Sequence, residues 1–325
     1  MSIGSNKMIF VNYAKSLIRA ILHKQNLELV STKSNFFKKI DMYRKMILAH
    51  TAIASDSIGC IIFSMDRALQ LDALLSSFFH NKNGECPVIV LYKVSNQRHQ
   101  KAYDDVAKKY KNSVVFKSEN NRSFKNVLLE ALSELDVGKI FFLVDDIIFT
   151  EKVDFTMLSR IDTTKYIFSL RMGSHLNFSY VVNQPQKLPH FIQDDENYLY
   201  WYWYAGEFDW AYPLSVDGHI FGKQEMIAMA EYFDYKAPNS FEGILQNEKD
   251  LFQKRVGMSY KKARIVNNPC NKVQSEVENL HGTFHQDELL LFWENGKEID
   301  ITPLQGYVNK SVHEEIEFSF KERLV

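Results

Sequence analysis

The chain has 325 residues, of which 46% are hydrophobic and 24% charged, the balance of an ordinary globular protein. This composition excludes collagen-like and largely disordered chains, and the length allows one large α/β domain with extensions or two smaller domains. Cys60, Cys86 and Cys270 are odd in number and form no CxxC pair, so neither a disulfide framework nor a zinc ribbon is expected. With no membrane-spanning run and no signal-peptide pattern, we expect a cytoplasmic protein.

The net charge of −1 conceals a basic N-terminal segment. Residues 1–50 carry nine Lys or Arg against two acids, so this segment is +7 and the remainder is −8. Apolar residues recur among the basic ones at helical spacing, which predicts a basic amphipathic helical extension over residues 1–55. They are Phe10, Ala14, Leu17 and Ile21, then Phe36, Phe37, Ile40, Tyr43 and Ile47. Such helices lie on an anionic membrane surface or pack on the main domain, and both interpretations stay open. The rest of the chain is acidic and has no recognisable nucleic-acid motif, so no nucleic-acid partner is expected.

From residue 58 onward, short apolar runs alternate with amphipathic stretches. The runs predict strands, and the stretches between them predict helices. The predicted strands are Ile58–Phe63, Pro87–Lys93, Ser113–Lys117 and Lys139–Val144, and the helices Arg67–His80, Gln97–Tyr110 and Ser123–Leu135. Continuous apolarity in the strands indicates burial on both faces, as in a parallel sheet between two layers of helices. Ligands bind such sheets at the carboxyl ends of the strands, which directs attention to the loops 64–67, 119–122 and 145–147.

Two neighbouring carboxylates, Asp145 and Asp146, follow the last of these strands directly. Adjacent carboxylates repel each other, and a divalent cation relieves the repulsion while bridging to phosphate oxygens. Oxygen ligands favour Mg²⁺ or Mn²⁺. The alternative is a pair of acids that cap the next turn. GxGxxG, GxxxxGK[ST], HExxH and GxSxG are all missing, which argues against dinucleotide dehydrogenases, P-loop NTPases, zincins and α/β-hydrolases.

Two groups of motifs resemble a known enzyme class. The first strand with Ser-Met-Asp-Arg at 64–67, and later Phe-Leu-Val-Asp-Asp-Ile at 142–147, resembles the nucleotide-sugar half of a GT-A glycosyltransferase. The segments 218–227, 231–235 and 239–245 resemble, in that order, the acceptor half of family-2-like enzymes. The chain departs from the pattern twice, with Asp-Asp-Ile in place of Asp-x-Asp and with Gly243 at the second position of the family's Glu-Asp motif.

The resemblance implies an α/β, GT-A-like (Rossmann-like) fold with a mostly parallel sheet flanked by helices. It implies a catalytic domain over 56–265, with a nucleotide half at 56–150 and an acceptor half at 151–265, and a C-terminal extension at 266–325 that packs on it. The expected activity is inverting transfer of a sugar from a UDP-linked donor to a glycan or lipid-linked acceptor at the inner membrane face, in bacterial surface polysaccharide synthesis. A nucleotidyltransferase of similar fold and a non-catalytic carbohydrate-binding protein are the alternatives.

The resemblance also distributes roles among particular residues. The expected donor-binding residues are Ser64, Asp66, Arg67, Asn121, Arg122 and Asp145. Asp146, with Asp145 and His281, is expected to bind Mn²⁺ or Mg²⁺. Glu242 is the first candidate for the catalytic base and Asp217 the second, since inversion needs a carboxylate that takes the acceptor's hydroxyl proton.

Aromatic residues concentrate between 198 and 212, where nine of fifteen residues carry rings. Sugars present C–H faces that stack on such rings, and Tyr and Trp tips hydrogen-bond to hydroxyls. This composition predicts an acceptor-binding wall of Trp201, Trp203 and Trp210, with His219 beside it. The alternative is a sheet edge packed into a ring-rich core.

Overall fold

The computed structural model describes residues 32–51, 55–194, 196–252, 254–269 and 286–323. The chain divides into two compact units, Met1–Arg44 and Lys45–Val325. Helix α1 (Thr32–Thr51) contains the second predicted amphipathic stretch, and the first lies outside the described residues. Among the residues that the structure describes, no helix combines the length and the hydropathy needed to cross a membrane.

The first part of the second unit alternates strands and helices as predicted. Its elements are β1 (Ile58–Met65), α2 (Ala68–Asn81), β2 (Val88–Lys93), α3 (Gln97–Lys109), β3 (Val114–Ser118), α4 (Phe124–Glu134) and β4 (Lys139–Val144). Every residue of β1 except the last is buried, which explains its continuous apolar run. Asn96 and Ser123 begin α3 and α4 by accepting hydrogen bonds from backbone amides of the first turn.

The second part mixes shorter elements. Its helices and main strands are α5 (Phe155–Leu158), β5 (Tyr166–Ser169), β6 (Gln193–Asp194), β7 (Tyr198–Tyr202), β8 (His219–Gly222), α6 (Lys223–Tyr232), α7 (Pro238–Asn247), β9 (Val256–Tyr260) and α8 (Gln286–Glu294). The 3-10 turns are Trp203–Ala205, Phe208–Ala211, Lys249–Phe252 and Thr302–Leu304. Short strand pairs join Lys82–Asn83 to Val153–Asp154, Ile147–Phe149 to Ile265–Asn267, Phe178–Ser179 to Gln184–Pro185, and Lys297–Ile299 to Phe320–Glu322.

The main strands form a nine-stranded sheet in the order β6-β7-β9-β5-β8-β4-β1-β2-β3. The block β4-β1-β2-β3 is parallel, and β5 is parallel to β9. Strand β8 runs antiparallel to both of its neighbours, β4 and β5. This is the predicted α/β, GT-A-like fold. The chain proceeds outward from β1 to β3 and then returns to the other side of β1 as β4, so a topological switch point lies between β1 and β4.

The C-terminal part of the chain packs on the nucleotide half. The strand Ile265–Asn267 pairs with Ile147–Phe149 just beyond the switch point, and α8 contacts α2 and α3. Trp293 of α8 is only 2% exposed. The backbone of Asn267 also pairs with His313, which brings residues near the C-terminus to the same edge of the sheet as β4.

Candidate active site

A cavity of about 640 Å³ opens at the carboxyl ends of β1 and β4, the crevice in which open α/β sheets bind their ligands. Residues of both predicted halves and of the C-terminal segment line it. The lining residues with ionisable side chains are Arg67, Lys93, Glu119, Asp145, Asp146, Arg171, Tyr180, Asp209, Tyr212, Asp217, Lys236, Glu242 and His313. One cavity therefore holds three of the six candidate donor-binding residues together with both candidate bases.

Asp145 is fixed at the cavity floor by three hydrogen bonds. Its Oδ2 accepts from the Ser64 hydroxyl (2.8 Å) and the Met65 amide (3.1 Å), and its Oδ1 accepts from Nη1 of Arg67 (2.9 Å). Asp145 is only 3% exposed, and these hydrogen bonds and the ion pair with Arg67 compensate for the burial of its charge. The end of β1 and the end of β4 are thus joined through one carboxylate.

Asp146 shares the same arginine but has an incomplete set of partners. Nη1 of Arg67 also donates to Asp146 Oδ2 at 2.9 Å, whereas Asp146 Oδ1 is buried and has no hydrogen bond from any residue that the structure describes. Burial raises the pKa of Asp146 to about 6; Arg67 opposes this shift, and the neighbouring charges of Asp145 and Asp217 add to it. Asp146 therefore presents a carboxylate oxygen that a ligand can use.

The described residues do not complete the predicted divalent-metal site. Among them, no three acidic, histidine or cysteine side chains converge as metal ligands. Both oxygens of Asp145 are occupied, and the Arg67 guanidinium bridges the two acids where a bridging cation would lie. The third expected ligand, His281, lies outside the described residues. The metal site stays a prediction.

Glu242 lines the same cavity as the two aspartates. It lies on α7, which Phe241 anchors by packing edge-on against Phe142 of β4. One carboxylate oxygen, Oε1, accepts hydrogen bonds from the Ser215 hydroxyl (2.9 Å) and the Val216 amide (3.0 Å). Burial, and then the charge of Asp217, raise the pKa of Glu242 above its ordinary value. A carboxylate held by one oxygen, with a raised pKa, is suited to accept a proton.

Asp217 has the opposite electrostatic environment. Its Oδ2 lies 3.4 Å from Nε2 of His313 and 3.5 Å from Nη1 of Arg171. Burial alone would raise the pKa of Asp217, but His313 and then Arg171 outweigh burial and lower it. Gly218 makes this position possible, since its φ is 75° and a Cβ there would lie 2.5 Å from Ile265. The two candidate bases are therefore pushed apart in pKa, a pattern typical of acid and base pairs in enzymes.

The structure separates the predicted donor-binding residues into two groups. Ser64, Arg67 and Asp145 line the cavity together, and Asp66, Asn121 and Arg122 are not among its lining residues. Asp66 turns away because its backbone is left-handed (φ 54°) and its carboxylate accepts the Ser95 amide at 2.8 Å. Asp66 therefore holds the backbone at Ser95 and does not take the expected donor-binding position.

The structure also corrects the donor-binding expectation for Asn121 and Arg122, in the loop 119–122. The Arg122 guanidinium pairs with Glu130 on the surface of α4, and Asn121 is exposed in a left-handed turn. The residue of this loop that does reach the cavity is Glu119, two positions earlier.

The predicted acceptor wall is part of the core. Trp201 and Trp210 are fully buried and Trp203 is 3% exposed, and the Trp201 ring packs edge-on against both of the others. The Trp201 indole donates to the Trp210 carbonyl at 3.2 Å. His219 is also fully buried, and burial lowers its pKa to about 3. None of the four lines the cavity, so their expected acceptor role is corrected.

Sequence reasoning missed several residues of the cavity. Arg171 follows β5 and His313 lies close to the C-terminus, and neither belongs to a recognisable motif. Lys93 ends β2 and Glu119 directly follows β3, and these places at strand ends were the available signal. Phe208 and Tyr212 of the ring-rich segment do line the cavity, although its tryptophans do not.

Comparison with known proteins gives limited similarity. No family model matches the chain. The bifunctional glycosyltransferase pgtA of Dictyostelium discoideum is 22% identical over 228 residues, which are 62% of this chain. The chain spans 29% of the length of pgtA.

Solved structures similar to the chain include one in complex with UDP-GlcNAc and one named a mannosyltransferase. S. aureus TarS 1–349 in complex with UDP-GlcNAc is 12% identical, with a TM-score of 0.35, covering 54% of this chain and 53% of that one. The mannosyltransferase PcManGT from Pyrobaculum calidifontis, in complex with GDP-Man and Mn²⁺, is 14% identical, with a TM-score of 0.29, covering 42% and 44%. At these scores the likeness is too low to assign any residue's role.

Proposed function

We propose that this chain is a GT-A-like glycosyltransferase that transfers a sugar from a nucleotide-sugar donor to a hydroxyl acceptor. The observation that carries the proposal is that one cavity is lined both by the Arg67, Asp145 and Asp146 cluster and by Asp217 and Glu242. The sequence similarity to pgtA supports the same class of reaction. A UDP-linked donor, an inverting mechanism and a glycan or lipid-linked acceptor in bacterial surface polysaccharide synthesis are the finer parts of the proposal.

The donor diphosphate is proposed to lie across the switch point beside Arg67. A helix-flanked crevice at the ends of parallel strands is the usual site for such groups. Arg67 partly offsets the charges of Asp145 and Asp146, and Arg171 brings further positive charge beside Asp217. These groups would stabilise the negative charge that develops on the diphosphate as the sugar leaves.

Glu242 is proposed as the general base. The acceptor oxygen attacks the anomeric carbon, the bond between that carbon and the diphosphate oxygen breaks, and the diphosphate leaves with the electron pair. Glu242 takes the acceptor's hydroxyl proton at the same time. The pKa of Glu242 is raised by burial and further by the charge of Asp217, whose own pKa His313 and Arg171 lower.

Contact of the N-terminal extension with an inner membrane face remains part of the proposal. The described part of this extension exposes Phe36 (63%) and Phe37 (67%) beside Lys38 and Lys39. Rings next to basic residues suit an anionic lipid surface. Residues 1–31 lie outside the described residues, and no catalytic step depends on this contact.

The proposed activity is tested by release of nucleoside diphosphate from a panel of nucleotide-sugars. The wild-type chain should release it from at least one member, and Asp146→Ala should abolish release while thermal unfolding shows an intact fold. A nucleotidyltransferase would instead release pyrophosphate from a nucleoside triphosphate and a sugar phosphate. A carbohydrate-binding protein would release neither.

A further inference from the structure

The 3-10 turn Phe208–Ala211 brings a carboxylate without a partner to the cavity. Asp209 lines the cavity and is only 7% exposed. Its side chain has no hydrogen bond and no ion pair with any residue in the described ranges, and its Oδ2 is buried. Burying a carboxylate without a donor is costly, so its position indicates a ligand that supplies the missing donors.

Phe208, the residue before it, keeps an unfavourable backbone conformation at the same cavity. Its φ is 46°, in the left-handed region that bulky side chains rarely adopt. Its ring lines the cavity, is 40% exposed and contacts neither another ring nor a cation within the described part of the chain. The ring is therefore open to a ligand beside the carboxylate.

Core contacts fix the turn in this position. The fully buried Trp210 donates through its indole to the Leu176 carbonyl at 3.3 Å. The Asp209 amide donates to Oε1 of Gln186, itself buried, at 3.2 Å. Strained backbone persists where the surrounding structure determines it, and here the buried ring and amide do so for Phe208.

The same tyrosine senses both Asp209 and the proposed base. Burial raises the pKa of Tyr212, and the charges of Glu242, Asp217 and, least, Asp209 add to this shift, while Arg171 opposes it. Tyr212 lines the cavity with all four of these residues. An acceptor whose hydroxyl reaches Glu242 therefore extends toward the turn that carries Asp209.

The charge of Asp209 distinguishes it from the other aspartates that line the cavity. Each of the others lies 2.9–3.5 Å from an arginine nitrogen, and Asp209 has no such partner among the residues that the structure describes. The arginines are Arg67 for Asp145 and Asp146, and Arg171 for Asp217. An ammonium group supplies several N–H donors, offsets the buried charge and is attracted to the face of an aromatic ring. A hydroxyl supplies one donor and no charge.

We propose that Phe208 and Asp209 bind an ammonium group of the acceptor, which is accordingly an amino sugar with a free amine near its reacting hydroxyl. The ammonium donates to the Asp209 carboxylate and lies over the Phe208 ring. N-acetylation would remove both the charge and two of the donors. The inference rests on the proposed function, since it requires an acceptor in the cavity.

The test is ligand-observed NMR titration of the full-length chain in a buffer that keeps amines protonated. The probes are glucosamine, 3-amino-3-deoxyglucose and 6-amino-6-deoxyglucose, with glucose and N-acetylglucosamine as their uncharged counterparts. At least one amino sugar should bind about tenfold more tightly than either uncharged sugar. This comparison uses the wild-type chain alone and does not depend on the folding of a variant.

Asp209→Asn should reduce the preference for the amino sugar to less than about threefold, because the amide keeps the shape and loses the charge. Phe208→Leu should weaken amino-sugar binding by about three- to tenfold, because the ring face is lost. In both variants the affinity for nucleoside diphosphates should stay as in the wild type, since the diphosphate is proposed to lie beside Arg67. Thermal unfolding checks that each variant folds.

The matched controls are Asp136→Asn, an exposed aspartate before β4 at the opposite edge of the sheet, and Tyr204→Leu, whose ring is 68% exposed outside the cavity. Both should bind all five sugars as the wild type does. Equal binding of charged and uncharged sugars, no binding of any amino sugar, or a preference that survives Asp209→Asn would overturn the inference and leave the proposed function standing. If no nucleotide-sugar is bound or cleaved, the proposed function fails whatever the five sugars do.

Discussion

Arg67 and Asp145 form a buried ion pair, with 2.9 Å between Nη1 and Oδ1, across the ends of the neighbouring parallel strands β1 and β4. The same nitrogen reaches Asp146, so one guanidinium bridges two adjacent acids at the switch point of the sheet. The Arg67–Asp145 ion pair is therefore expected to stabilise the fold. It is also expected to reduce the negative charge near the proposed diphosphate site.

Arg67→Met should lower the free energy of unfolding by about 3–5 kcal/mol, because it leaves buried carboxylates without their cation. The measurement is urea unfolding at neutral pH. Arg98→Met is the matched control, since Arg98 pairs with Glu294 on the surface with half of its side chain exposed. Exposed pairs contribute little, so this variant should unfold like the wild type. Equal unfolding of both variants would show that the buried pair does not stabilise the fold.

Glu242→Gln should reduce kcat for sugar transfer by about 10²–10⁴-fold, the usual contribution of a general base. The amide keeps the hydrogen-bonding geometry at Ser215 and Val216 but cannot take a proton. Affinity for nucleoside diphosphate, measured by titration, should stay within about twofold of wild type, because Glu242 lies on the acceptor side. Glu196→Gln, at an exposed position away from the cavity, serves as the control. Unchanged kcat in the Glu242 variant would remove this residue from the mechanism.

The pH dependence follows from the two coupled carboxylates. A base must be ionised to act, so kcat/KM should rise with pH through the pKa of Glu242, which lies above the ordinary value of 4.5. Asp217 contributes to this raised pKa by its negative charge. In Asp217→Asn the acidic limb of the pH–rate profile should therefore move to lower pH. A limb that stays in place or moves to higher pH would contradict the assignment.

Trp201→Ala tests whether the aromatic cluster belongs to the core or to an acceptor site. Removing a fully buried tryptophan should lower the free energy of unfolding by about 3–5 kcal/mol, as measured by urea denaturation. Tyr204→Ala, at a ring that is 68% exposed, should change stability little. A Trp201 variant with wild-type stability but a raised KM for acceptor would restore the binding interpretation.

The parallel part of the fold could be predicted because burial on both faces leaves a continuous apolar run in each strand. The observed bounds of β4 match the predicted ones, and β1 extends two residues further. Asp145 was found from its place at a strand end, since topology alone brings that place to the crevice. The antiparallel direction of β8 and the strands β5 and β9 beyond it were not predicted.

The rest of the site depends on contacts between residues far apart in sequence. His313 lies near Asp217 because its backbone pairs with Asn267. No local sequence pattern predicts that pairing. The tryptophans were misassigned for a different reason. Ring-rich composition is common to sugar-binding walls and to cores, and only packing distinguishes them. Gly257 makes room for the Trp201 ring, a detail that composition does not contain.

The most direct test of the central claim is isothermal titration of a panel of nucleotide-sugars into the wild-type chain and into Asp145→Asn. The account predicts that at least one nucleotide-sugar binds the wild type with a stoichiometry of one, and binds the variant at least about tenfold more weakly because Arg67 and the end of β1 lose their anchor. No binding by any member of the panel, or equal binding to both proteins, would contradict a donor site at the ends of β1 and β4.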